Sequence, residues 1–115
     1  MATEAQHVAK AMLNQSVSRG LNTTNQVDWK VVSAFYMALH FVEAKIVQTK
    51  EFSTDHRSRA ANIRKIPALR PIVARYETVR NFADQARYDA ALVTDPHDAQ
   101  KICDLAEEIK TILGY

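Results

Sequence analysis

Only two glycines and three prolines occur among the 115 residues, so the backbone has few places for a sharp turn. That scarcity argues against many short strands joined by hairpins and for a few long helices. A single cysteine, Cys103, excludes an intrachain disulfide and any cysteine cluster for metal. Its neighbours Ile102 and Leu105 put it in a helical pattern, where a lone cysteine acts as a small buried apolar residue. The four histidines, His7, His40, His56 and His97, lack the spacing of an HxxxH or HExxH metal site. Glycine-rich phosphate loops and the GxSxG nucleophile turn are missing as well. No metal and no cofactor is expected.

No leader-like segment opens the chain, and its one long apolar run, residues 31–47, is interrupted by Ser33, His40, Glu43 and Lys45. A membrane span needs about 20 mostly apolar residues, so the run reads as a buried core helix. The expectation is one cytoplasmic domain over residues 1–115, away from the membrane.

What is present is helical periodicity. Thr3 and Gln6 have capping-box spacing, followed by Ala5, Val8, Ala9, Met12 and Leu13 at helical intervals. This helix should end near Ser18–Gly20, with Gly20 in a left-handed turn. A polar loop over 22–26 precedes Asp28, which should cap a second helix from Trp29 to about Thr49. Trp29, Val32, Phe35, Tyr36, Leu39 and Val42 give that helix a broad apolar face, placing it at the centre of a bundle. Ser53, Thr54 or Asp55 can cap a short basic helix ending near Lys65. Pro71 should lie in the first turn of the next helix, whose seam is Leu69, Ile72, Val73, Tyr76, Val79, Ala83 and Ala86. Asp95-Pro96 starts a last helix with Ala99, Ile102, Cys103, Ala106, Ile109 and Leu113 inward. The fold class is all-α: an antiparallel bundle of four main helices plus one short one.

Charge is uneven although the net is only +2. Residues 57–88 hold seven of the eight arginines and one lysine against Glu77 and Asp84, leaving +6 there and −4 elsewhere. Arginine carries a planar fork matched to phosphate and carboxylate. Arg80 and Arg87 are seven apart, so they share a helix face, and Asp84 lies within reach of both. Tyr76 precedes Arg80 by a turn and Tyr88 adjoins Arg87. Such a face is either a solvated ion-pair ladder or an anion site. Arg57 and Arg59, beside His56 at a helix start, are further phosphate candidates. His40 reads as a core or boundary histidine.

Three stretches together, "DWKVVSAFYMALHFVEAKI" (28–46), "DHRSR" (55–59) and "YETVRNFADQARYD" (76–89), resemble the HEPN domain superfamily. The resemblance implies a dimerising bundle of four or five helices in a prokaryotic toxin–antitoxin, defence or CRISPR-linked setting. It also implies RNA or nucleotide as ligand, and in some cases a nucleotidyltransferase partner protein. Many members are metal-independent ribonucleases whose motif is an arginine, a short polar spacer and a histidine. Arg80 and Asn81 fit the start of that motif, but Gln85, Ala86 and Arg87 stand where the histidine should be. A guanidinium does not release its proton near neutral pH, so Arg87 cannot serve as the base. The expected function is therefore a non-catalytic module binding RNA, a nucleotide or an acidic protein partner through Arg57, Arg59, Arg80, Asp84, Arg87 and Tyr88. Two alternatives stand beside it: a ribonuclease toxin using His40 or His56 as an unconventional base, and a purely structural interaction bundle.

Overall fold

A computed structural model describes residues 2–22, 25–88 and 95–115. The middle of the loop expected over 22–26 and Asp89, the last residue of the quoted arginine stretch, lie outside them. The order is α1 (Glu4–Gly20), α2 (Val27–Gln48), α3 (His56–Lys65), a 3-10 turn (Pro67–Ile72), α4 (Val73–Tyr88) and α5 (Pro96–Ile112). No strand occurs among the described residues. The protein is an all-helical bundle, as its periodicity predicts.

Side-chain chemistry explains the helix starts. Thr3 Oγ1 accepts from Gln6 N while Gln6 Oε1 accepts from Thr3 N, a reciprocal pair that satisfies two otherwise orphaned donors. Asp55 repeats the device with Ser58 at α3. At α5, Asp95 accepts from His97 N with Pro96 in the first helical position. At α2 the expected cap is displaced. Gln26 is the N-cap and forms no side-chain cap bond, while Asp28 lies one residue inside the helix. There its carboxylate still faces the positive end of the helix dipole.

The centre of the bundle is α2, which packs against α1, α4 and α5. By length and composition it could cross a membrane, but 72% of its most apolar window is buried, which makes it the core helix. Phe35, Phe41 and Ile46 are fully enclosed, each contributing about 1.5–3 kcal/mol relative to exposure. The seam of α4 closes on them through Tyr76, Val79 and Ala83, and α5 adds Ala99, Ile102, Ala106 and Ile109. Val73, Ala86 and Cys103 sit at the half-buried margin of this core.

Four expectations about packing and chain geometry fail. Trp29, expected in the core, is 67% exposed. It stands in the first turn of α2, where a stripe continuing through Tyr36 and His40 is left incompletely covered. The inward face of α1 is Ala11, Gln15 and Ser18, with Val8 packed beside them, whereas Met12 and Leu13 are exposed. Polar pairing sets this rotation. Gln15 donates to Glu107, and Ser18 Oγ donates to Lys30 O at 3.0 Å. Lys30 Nζ donates in turn to Ser18 O at 2.6 Å and Leu21 O at 3.2 Å. An ammonium on the last carbonyls also offsets the negative end of the α1 dipole. Gly20 is consequently the last helical residue, followed by an extended Leu21, and takes no left-handed turn. Pro71 lies in the 3-10 turn before α4, where Pro67 and Pro71 both lack the N–H that an α-helical ladder would use.

Candidate anion site where three helices meet

The site lies where α2, α3 and α4 converge. The first turn of α3 supplies His56 and Arg59, three residues apart and hence on one face. From α2 come Phe35, Tyr36 and Glu43, and from α4 come Tyr76, Arg80, Asp84 and Arg87. The buried seam of α4 fixes its rotation, so the charged residues stand at the margin of the core.

Arg59 and Glu43 form the deepest pair, with Nε to Oε1 at 2.5 Å and side chains only 13% and 6% exposed. Isolated, either charge would be costly there, so each holds the other in place. The same guanidinium uses its NH1 toward His56 Nδ1 at 2.9 Å. Arginine only donates, so Nδ1 must be the unprotonated acceptor and the ring proton must sit on Nε2. Burial lowers the His56 pKa, and the charges of Arg59, Arg80 and Arg87 lower it further against Asp84. At neutral pH His56 is thus an uncharged donor facing a cationic cluster.

Arg87 is fastened from several sides. Its NH2 donates to Asp84 Oδ1 at 2.7 Å and its NH1 to the Tyr36 hydroxyl at 2.7 Å. The guanidinium lies 5.3 Å from the Phe35 ring centre, 5.5 Å from Tyr36 and 4.9 Å from Tyr88. Burial alone would lower its pKa, but the bond to Asp84 and the two tyrosines raise it, so it remains charged. Arg80 is held loosely by comparison. Its closest carboxylate approach is 3.9 Å, to Asp84, whose other oxygen Arg87 already occupies. The Nε atoms of Arg80 and Arg87 are both buried without a hydrogen-bond partner among the described residues. Tyr76 lies beneath, its hydroxyl pKa raised by burial against the opposing charge of Arg59 and Arg80.

The other candidates divide sharply. Arg57 stays in solvent, and Tyr88 is 76% exposed beneath the Arg87 guanidinium. Elsewhere in the basic stretch, Arg64 pairs with Glu77, Lys65 with Glu51 and Arg75 with Glu108, all at the surface. Those pairs join different elements at the surface and are worth little individually. His40 does not approach Arg80. Its Nδ1 lies 3.1 Å from that of His7, with the rings stacked. Burial first, then His7 and Lys10, push the His40 pKa down to about 4 against the opposing Glu43. A cleft of about 360 Å³ opens at this pair and is walled also by Glu43 and Arg59. Sequence spacing gave no hint of the His7–His40 contact, because the two lie 33 residues apart on different helices. No group of three metal-ligating side chains occurs among the described residues.

Glu43 and Tyr36 were missed as members of the arginine cluster. The signal available was a lone acid in the apolar run of α2, which needs a cationic partner when buried. Comparison with protein-family models, curated proteins and solved structures gave no significant match.

Proposed function

We propose that this chain is a non-catalytic, HEPN-like binding module whose Arg80–Arg87–His56 cluster takes a phosphate of RNA or of a nucleotide. The carrying observation is the state of Arg80. It is a partly exposed guanidinium beside a second arginine; its nearest carboxylate, Asp84, stands 3.9 Å off and is already bonded to Arg87, and its buried Nε has no hydrogen-bond partner among the described residues. A phosphate oxygen offers the acceptors this arrangement lacks, and His56 Nε2–H is a further donor suited to it. The exposed Tyr88 adds an aromatic surface next to the same arginines.

The same geometry argues against ribonuclease chemistry. A general base needs a free unprotonated nitrogen, and the one on His56 is engaged by Arg59. The family resemblance further suggests a homodimer, a toxin–antitoxin or defence setting and a nucleotidyltransferase partner. Light scattering and co-purification test those points.

The direct test is binding of single-stranded RNA by the purified protein across a salt series. Arg80→Ala should leave the circular dichroism spectrum intact, weaken binding and reduce the salt slope by about one unit. Unchanged affinity and slope in a folded Arg80→Ala variant would overturn the reading. RNA cleavage in the presence of EDTA would replace it with the metal-independent nuclease.

A further inference from the structure

Next to the arginine cluster, the start of α2 and the end of α4 enclose a cleft of about 290 Å³ walled by Asp28, Trp29, Val32, Tyr36, Ala86 and Arg87. That volume is at the small end of ligand sites, which run from about 300 to 1,000 Å³. Two features of its lining are out of keeping with a merely structural crevice. Trp29 leaves its large ring 67% exposed at the mouth, with Tyr36 seven residues later on the same face of α2. Asp28 Oδ1 is withdrawn from solvent and accepts no hydrogen bond from the described residues. Arg87 belongs to both places, lining the cleft while bound to Asp84 of the arginine cluster.

We infer that this cleft seats a nucleobase and that Asp28 selects guanine, with the attached phosphate held at the arginine cluster. The inference rests on the phosphate reading above and names its ligand class. An aromatic ring beside an apolar wall stacks any base, since every base has a π-face. A carboxylate is more selective because both its oxygens only accept. Guanine presents two adjacent donors, N1–H and the N2 amino group, and so satisfies both oxygens once the Asp28 carboxylate turns Oδ1 toward the cleft. Adenine and cytosine set a ring nitrogen acceptor beside their amino group, which would face the second oxygen unfavourably. Uracil offers one N–H between two carbonyls. A guanosine monophosphate unit can be a free nucleotide or one residue of an RNA strand, and both present this same edge.

Trp29 is the only tryptophan, so its fluorescence reports on the cleft directly. The full chain is titrated with GMP, IMP, AMP, ribose 5-phosphate and a guanine-containing single-stranded RNA hexamer, with calorimetry in parallel. GMP should quench Trp29 and bind about ten-fold more tightly than AMP or than IMP, which lacks the N2 amino group. Ribose 5-phosphate should bind without quenching. Asp28→Asn should lose about ten-fold for GMP and nothing for ribose 5-phosphate, whereas Arg80→Ala should weaken both. Trp29→Leu, at an exposed position, gives the stacking loss by calorimetry should Asp28→Asn fail to fold. Hexamer affinity well above that of GMP identifies an RNA residue as the ligand, and equal affinity identifies the free nucleotide. Equal binding of GMP, AMP and ribose 5-phosphate without quenching overturns the base seat and leaves the phosphate site standing. Quenching by GMP that Asp28→Asn abolishes, with no ribose 5-phosphate binding and no effect of Arg80→Ala, supports the base seat and overturns the phosphate site. No binding of any of these ligands overturns both.

Discussion

Arg59 donates to His56 Nδ1 across 2.9 Å while its Nε is held by the buried carboxylate of Glu43. One arginine thereby sets the tautomer of a histidine that faces two others. The protonation state of this cluster is a consequence of packing between α2 and α3.

His56 should therefore be neutral at pH 7, with its proton on Nε2. Its pKa is lowered by burial and then by Arg59, Arg80 and Arg87. Nitrogen-15 NMR of the imidazole would show the Nε2–H pattern in the wild type. In Arg59→Leu the tautomers should mix and the titration should move up toward the ordinary histidine value. An Nδ1–H signal in the wild type would contradict the assignment.

Glu43→Gln should be among the costliest single changes in the molecule. It leaves the Arg59 guanidinium, 13% exposed, without its anion. Breaking a buried pair by removing one partner costs about 3–5 kcal/mol, read as a lower denaturant midpoint at unchanged slope. Glu77→Gln at the surface pair with Arg64 should shift the midpoint by less than about 1 kcal/mol.

Stability should fall as the pH drops from 6.5 toward 4, and His40 should account for part of that loss. Its native pKa is about 4 against 6.5 unfolded, because of burial first and then His7 and Lys10. Between those values the unfolded chain binds a proton that the native one does not, so stability rises with pH across the window. His40→Gln should flatten the midpoint-versus-pH curve between pH 6.5 and 4.5. An unchanged slope would remove His40 from the account.

Lys50→Gly should stabilise the protein. Lys50 sits just past α2 with φ +66°, a left-handed conformation that costs an L side chain about 1–2 kcal/mol. Glycine adopts it without that penalty but loses more entropy on folding, so a net gain of about 0.5–1 kcal/mol is expected in thermal melts.

Local sequence signals settled the starts of α1, α3 and α5. Thr3 with Gln6, and Asp95 with Pro96, start helices wherever they stand, because caps act within one turn. The period of Tyr76, Val79 and Ala83 fixed both α4 and its inward face, since burial rewards that spacing directly, whereas Leu69 and Ile72 reach the same core from the 3-10 turn. The spacing of Arg80, Asp84 and Arg87 was legible for the same local reason. What the tertiary structure alone decided is which distant groups meet. The inward face of α1 depends on Gln15 and Ser18 finding Glu107 and Lys30, and a search for apolar periodicity passes over polar residues. Trp29 is exposed because, among the described residues, no helix covers its side of the first turn of α2, which composition cannot reveal. His56 comes to Arg59 through the turn of one helix, but Glu43, Tyr36 and Arg87 come to them only because α2 and α4 cross at their particular rotations. Hydrogen bonds and ion pairs act over a few ångströms in space regardless of separation along the chain. A site assembled from three helices therefore exists only once the core between them has packed.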